Sequence, residues 1–91
     1  MIHVLLPLAL RDHTSGREEI DVAGETITDA LTDLVSRHPS LRRHLYDDSG
    51  ELRGYVNVYL NDDEVRHLAH GGSTPVRPGD RLMIVPSIAG G

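Results

Sequence analysis

Residues 24–39 read GETITDALTDLVSRHP, and this stretch decides the fold class. Ile27, Ala30, Leu31, Leu34 and Val35 fall at i, i+3, i+4, i+7 and i+8, which winds them into one apolar stripe along an α-helix. Thr26 is placed to cap the first turn, and Asp29 and Asp33 favour the positive end of the helix dipole. Pro39 stops the helix, because it has no N–H to donate and disfavours helical geometry at His38. A helix with one apolar stripe needs an apolar surface to cover, and the flanking segments are strands.

On the N-terminal side, Ile2–Leu8 is a run of strand formers and Arg17–Val22 is a second. Asp12-His13-Thr14-Ser15-Gly16 between them is turn chemistry, so the chain is expected to open with a hairpin. Beyond Pro39 the chain is expected to be irregular or a short helical turn as far as Gly54, with Leu41 and Leu45 as anchors and Asp47–Gly50 as a loop. Tyr55–Leu60 alternates with period two, turning Val56, Val58 and Leu60 inward and Tyr55, Asn57 and Tyr59 outward. Asn61-Asp62-Asp63 is a turn, Glu64–Leu68 a further short strand, and Ala69–Asp80 a loop rich in Gly and Pro. Arg81–Pro86 is the last strand, with Leu82 and Ile84 inward and Met83 and Val85 outward. Hairpin, helix and further strands make an α+β domain with a mixed sheet packed on one main helix.

With 91 residues the chain has room for one core, and that core must be aliphatic, since Phe and Trp are absent. Without cysteine there is no disulfide, thiolate metal site or cysteine nucleophile, and nothing demands an oxidising compartment. The apolar run near the N-terminus is too short to span a bilayer and lacks a basic lead, so neither a membrane span nor a signal peptide is expected and the cytoplasm is the default location. The formal charge is −5, and no segment concentrates positive charge, which argues against a nucleic-acid surface. All nine basic residues are arginine, either a coding preference of the source genome or a chain that cannot accept an isopeptide bond on itself.

Several motifs carry little chemistry on inspection. The six histidines are scattered, and the close pair His67 and His70 lies in a loop, so no metal site is expected from their spacing. No serine sits in a nucleophile elbow. Gly71-Gly72-Ser73-Thr74 lacks the lysine and helix of a phosphate-binding loop. Outward Tyr59, Met83 and Val85 would form an apolar docking patch, or stand singly under a loop. The terminal Gly90-Gly91 has ordinary readings as frayed residues or a cloning remnant.

The segments Val56–Asp62, Pro78-Gly79-Asp80 and Ile84–Gly91 resemble the ubiquitin-like sulfur carriers, which include the molybdopterin synthase small subunit and the thiamine-thiazole and cysteine-biosynthesis carriers. Arg11–Gly16 and Asn61–Arg66 look closest to the actinobacterial cysteine branch. The resemblance covers essentially the whole chain. It implies a β-grasp fold, a four- to five-stranded mixed sheet over residues 1–86, with the last strand beside the first and a flexible Gly-Gly tail at 87–91. It also implies a protein cosubstrate without bound cofactor, not an enzyme. In the family, an ATP-dependent, ubiquitin-activating-like adenylyltransferase or sulfurtransferase adenylates the terminal carboxylate, and a sulfur donor displaces AMP to leave a thiocarboxylate. A second enzyme, here a synthase of the pyridoxal-phosphate type, would accept the sulfur.

Carried onto this chain, Gly91 is the thiocarboxylate site, Gly90, Ala89 and Ile88 thread the partner's channel, and Val85 and Tyr59 contribute to docking. Glycines suit a narrow channel because they lack Cβ atoms. No proteolytic exposure of the tail is expected. The acceptor pathway stays open between cysteine, molybdopterin, thiazole and a specialised natural product. A ubiquitin-like modifier conjugated through Gly91 to lysines of other proteins, and a noncovalent binding module, are the alternatives of other classes.

Overall fold

Strand β5 (Arg81–Pro86) lies at the middle of the sheet, between β1 (Ile2–Leu5), to which it runs parallel, and β3 (Val56–Leu60), to which it runs antiparallel. β2 (Glu19–Val22) pairs antiparallel with β1, and β4 (Asp63–Glu64) with β3, giving one five-stranded sheet of order β2-β1-β5-β3-β4. This is the β-grasp arrangement, seen in a computed structural model that describes residues 1–86. The predicted tail, 87–91, lies outside the described residues.

The helix α1 (Ile27–Arg37) closes one face of the sheet, and its whole stripe, Ile27, Ala30, Leu31, Leu34 and Val35, is buried. Thr26 caps it as its position implies, the hydroxyl accepting from the backbone N–H of Asp29 at 3.1 Å, a contact of the kind that contributes about 1 kcal/mol. Gly24 is required by close approach: a Cβ there would stand 2.6 Å from the backbone nitrogen of Ala30, in the helix itself. The inward strand residues Ile2, Val4, Ile20, Val22, Val56, Val58, Leu82 and Ile84 complete the core with Leu41 and Leu45, and Leu60 packs on its edge half-buried. Leu45 belongs to a single helical turn, α2 (Arg42–Leu45), which follows a 3-10 turn at Pro39–Leu41.

Several expected elements change, among them the third strand, which begins at Val56 and not Tyr55, and the Gly/Pro-rich loop, which contains a 3-10 turn at Gly71–Ser73. The first strand stops at Leu5 and not Leu8, because Pro7 has no N–H for the ladder, and Leu8–Thr14 form a 3-10 helix that buries Leu10 and leaves Leu8 exposed. Thr14 is fully buried there, its hydroxyl 2.9 and 3.1 Å from the carbonyls of Arg17 and Arg11. The second strand begins at Glu19 and not Arg17. The short strand expected at Glu64–Leu68 shrinks to Asp63–Glu64, after which Val65–His67 make a 3-10 turn that buries Val65. The Gly/Pro-rich loop is tied down at the helix entrance, where Ile27 donates to Thr74 and Val76 donates to Glu25.

Two turns set where β5 begins. In Arg77-Pro78-Gly79-Asp80 the amide of Asp80 donates to the Arg77 carbonyl at 3.0 Å and Gly79 has φ +93°, the left-handed position of a type II turn with proline before it. Asn61 adopts φ 55°, donates its amide to the Arg81 carbonyl and accepts the Arg81 amide on its side chain at 3.2 Å, clamping the end of β3 to the start of β5.

His44 links α2 to the N-terminal 3-10 helix. Its ring packs on His13 with centroids 4.4 Å apart, and its Nε2 is buried with no hydrogen-bond partner among the described residues. Burial, then the neighbouring His13, Arg43 and Arg53, holds its pKa below the ordinary histidine value. As pH falls, the unfolded chain takes up this proton before the folded one, so stability is full above about pH 6.5 and declines below it. The melting temperature is expected to fall between pH 7.5 and 5.5, and to fall less in His44→Gln; equal slopes in calorimetry would remove His44 as the cause.

Candidate functional site

The helix covers one face of the sheet, and the other face presents the outward residues of every strand. The register sets Tyr59 opposite Met83 and Asn57 opposite Val85 across β3 and β5, with Leu5 opposite Met83 across β1 and β5. Met83 and Val85 are 42% and 36% exposed, and Tyr59 and Leu5 are half-buried. Tyr59, Met83 and Val85 therefore share one apolar strip. The strip is framed by polar groups. On the β3 side Arg66 donates to the Asn57 side chain at 3.2 Å and lies 3.5 Å from Glu64. On the β1 side stand His3, Glu19 and Asp21.

β5 is also the strand that runs into Ser87–Gly91. Val85 thus lies on the same strand that leads toward the predicted tunnel residues Ile88, Ala89 and Gly90 and the predicted carrier residue Gly91, which lie outside the described residues. Asp47 and Tyr46 sit far from this strip in sequence, around the turn after α2. Hydrogen bonds from Ser49 and Glu51 hold the Asp47 carboxyl below its usual range, and burial raises Tyr46. The Asp47 carboxylate is taken up by its own loop, accepting from the Ser49 hydroxyl at 2.7 Å and the Ser49 amide at 2.9 Å.

The ThiS family model matches residues 4–91. The chain belongs to the ThiS family. Sulfur carrier protein CysO of Mycobacterium tuberculosis is 35% identical over 92 aligned positions, spanning 99% of this chain and 98% of that protein. In a crystal structure of the Amycolatopsis orientalis BexX/CysO complex, a chain 35% identical to this one superposes with a TM-score of 0.88, covering 100% of both chains. Small archaeal modifier protein 1 of Haloferax volcanii is 38% identical over 73 residues, 79% of this chain and 78% of that protein. Proteins similar to this chain thus include ones named sulfur carriers and ones named small archaeal modifiers.

His67 and His70, close in sequence, belong to no group of three metal-ligating side chains among the described residues; His3, Glu19 and Asp21 do. Spacing hid this group, because His3 is separated from its partners by the whole first connection.

Alternation along β5 separates folding from surface roles. Met83→Gln and Val85→Thr are expected to change unfolding free energy by no more than about 0.5 kcal/mol, whereas Leu82→Ala and Ile84→Ala should each cost roughly 2–5 kcal/mol. Urea denaturation checks this, and a large loss at Met83 or Val85 would show that the strip is covered in the native fold.

Proposed function

We propose that this chain is a sulfur carrier and that the α-carboxylate of Gly91 is the carrying group. The observation that supports this most is the similarity along the full length to a sulfur carrier protein, in a fold whose central strand leads into Gly90-Gly91. A carboxylate is a poor electrophile, so it must first be activated. An ATP-dependent adenylyltransferase joins it to AMP with release of pyrophosphate. A sulfide donor then attacks the acyl carbon and expels AMP, leaving a thiocarboxylate. The acceptor enzyme uses that sulfur as its nucleophile in making cysteine or a related metabolite, and hydrolysis restores the carboxylate.

Division of labour follows from what the chain contains. The partner enzymes supply the catalytic groups and this domain supplies a shaped handle. Tyr59, Met83 and Val85 form its docking surface, and Ile88, Ala89 and Gly90 thread the channel. The BexX/CysO complex, in which a relative is held in an assembly, supports an acceptor synthase as a binding partner. The archaeal modifier favours a second reading, conjugation of Gly91 to lysines of other proteins.

Sulfur loading by a cognate activating enzyme is expected to disappear in Gly90→Val and in a variant with one residue added after Gly91, both with unchanged melting temperature. Val85→Asp is expected to lower kcat/KM for loading at least tenfold, about 1.4 kcal/mol of binding. Unaffected loading in the two tail variants would remove Gly91 as the carrying residue. Lysine adducts on other proteins, with no thiocarboxylate, would favour the modifier reading.

A further inference from the structure

We propose that His3, Glu19 and Asp21 form a binding site for a zinc-type divalent cation on the exposed face of the sheet. The inference is independent of the sulfur-carrier reading. Nδ1 of His3 lies 2.6 Å from Oδ1 of Asp21 and 3.4 Å from Oε2 of Glu19, and the three ligand atoms lie within 4.8 Å of one another. Zinc bonds of about 2.0–2.2 Å place neighbouring tetrahedral ligands roughly 3.4 Å apart. The Glu19 separation already matches that edge; the 2.6 Å contact to Asp21 is a hydrogen bond donated by the ring, and the ion would take the place of that shared proton as the two atoms move apart.

The strand ladder, not a loop, holds the three positions. His3 is the direct cross-strand partner of Asp21, and Glu19 is two residues along on the same face, opposite Leu5. The cluster is net negative, and Arg37 reaches the main-chain oxygen of Asp21 at 3.4 Å without pairing with its carboxylate. Two carboxylates face one imidazole, so the cluster carries two negative charges when the ring is neutral and one when it is protonated. In a chain with nine arginines, no arginine lies within ion-pair distance of either carboxylate among the described residues: Arg11, Arg37 and Arg66 pair with Glu18, Asp33 and Glu64 instead. Arg81, beside His3 on β5, makes no ion pair among the described residues.

The donor set selects the class of ion. One imidazole nitrogen with two carboxylate oxygens suits zinc and its neighbours, while magnesium and calcium require oxygen alone. The side chains of His3, Glu19 and Asp21 are 33%, 43% and 51% exposed, which leaves the remaining coordination positions open to water.

Titrating the full chain with zinc chloride in a non-coordinating buffer tests the site. One ion per chain is expected by calorimetry, and His3→Gln, Asp21→Asn and Glu19→Gln should each weaken binding at least tenfold. The double variant His67→Gln/His70→Gln should bind as the wild type does. In the wild-type protein, the His3 ring resonances should shift or broaden first among the six histidines, a readout that needs no folded variant. Absence of binding, or a first response at another histidine, would overturn the site. Loss in His3→Gln with full binding in Asp21→Asn and Glu19→Gln would put the ion on His3 without the carboxylates, and would overturn it equally.

Discussion

Everything in this fold depends on β5 occupying the gap between β1 and β3. Its inward residues Leu82 and Ile84 are 0% and 1% exposed, beneath the stripe of α1. A parallel pairing between the first and last strands cannot be made by a tight turn, so the whole chain between them, helix included, must cross from one to the other. That long-range closure is expensive in chain entropy, and the two clamps at the start of β5, the type II turn at Arg77–Asp80 and the Asn61 bridge, fix its register locally. They hold the strand in position, and with it the outward row of Met83 and Val85.

The same alternation divides labour between the faces. Burying every second residue of β1, β3 and β5 under α1 leaves the intervening ones to build a surface, and that surface changes in character across the sheet. It runs from an acidic, histidine-bearing edge on β1 and β2, through an apolar centre at Leu5, Met83, Val85 and Tyr59, to the Arg66, Asn57 and Glu64 network beside β3 and β4. An apolar centre with a charged rim is the anatomy of a protein-docking surface. On the proposed sulfur-carrier reading, this face is what the folded body offers to partner enzymes.

What could be read from the residues alone was whatever depends on short-range periodicity. The stripe at Ile27–Val35, the Thr26 cap and the in-out pattern of β3 and β5 were legible because each is written within a few turns or strand steps. Leu8 misled because it is as apolar as the strand before it; only the missing N–H of Pro7 distinguishes the 3-10 helix that follows. Val65 misled in the same way, since one buried residue after a two-residue strand imitates alternation. The His3 group was invisible because cross-strand register, not sequence distance, brings Asp21 and Glu19 to it. Gly90 and Gly91 were singled out by their resemblance to a family tail, and the similarity of the full chain to sulfur carriers, not any packing in residues 1–86, is what gives them weight.

The central claim, that Gly91 carries sulfur, is tested most directly by the intact mass of the protein isolated from its own cells. The account predicts a fraction heavier by about 16 Da, one sulfur in place of one carboxyl oxygen, with the extra mass on the C-terminal peptide. A protein that stays at its unmodified mass, in cells that contain its activating enzyme and a sulfide source, would contradict it.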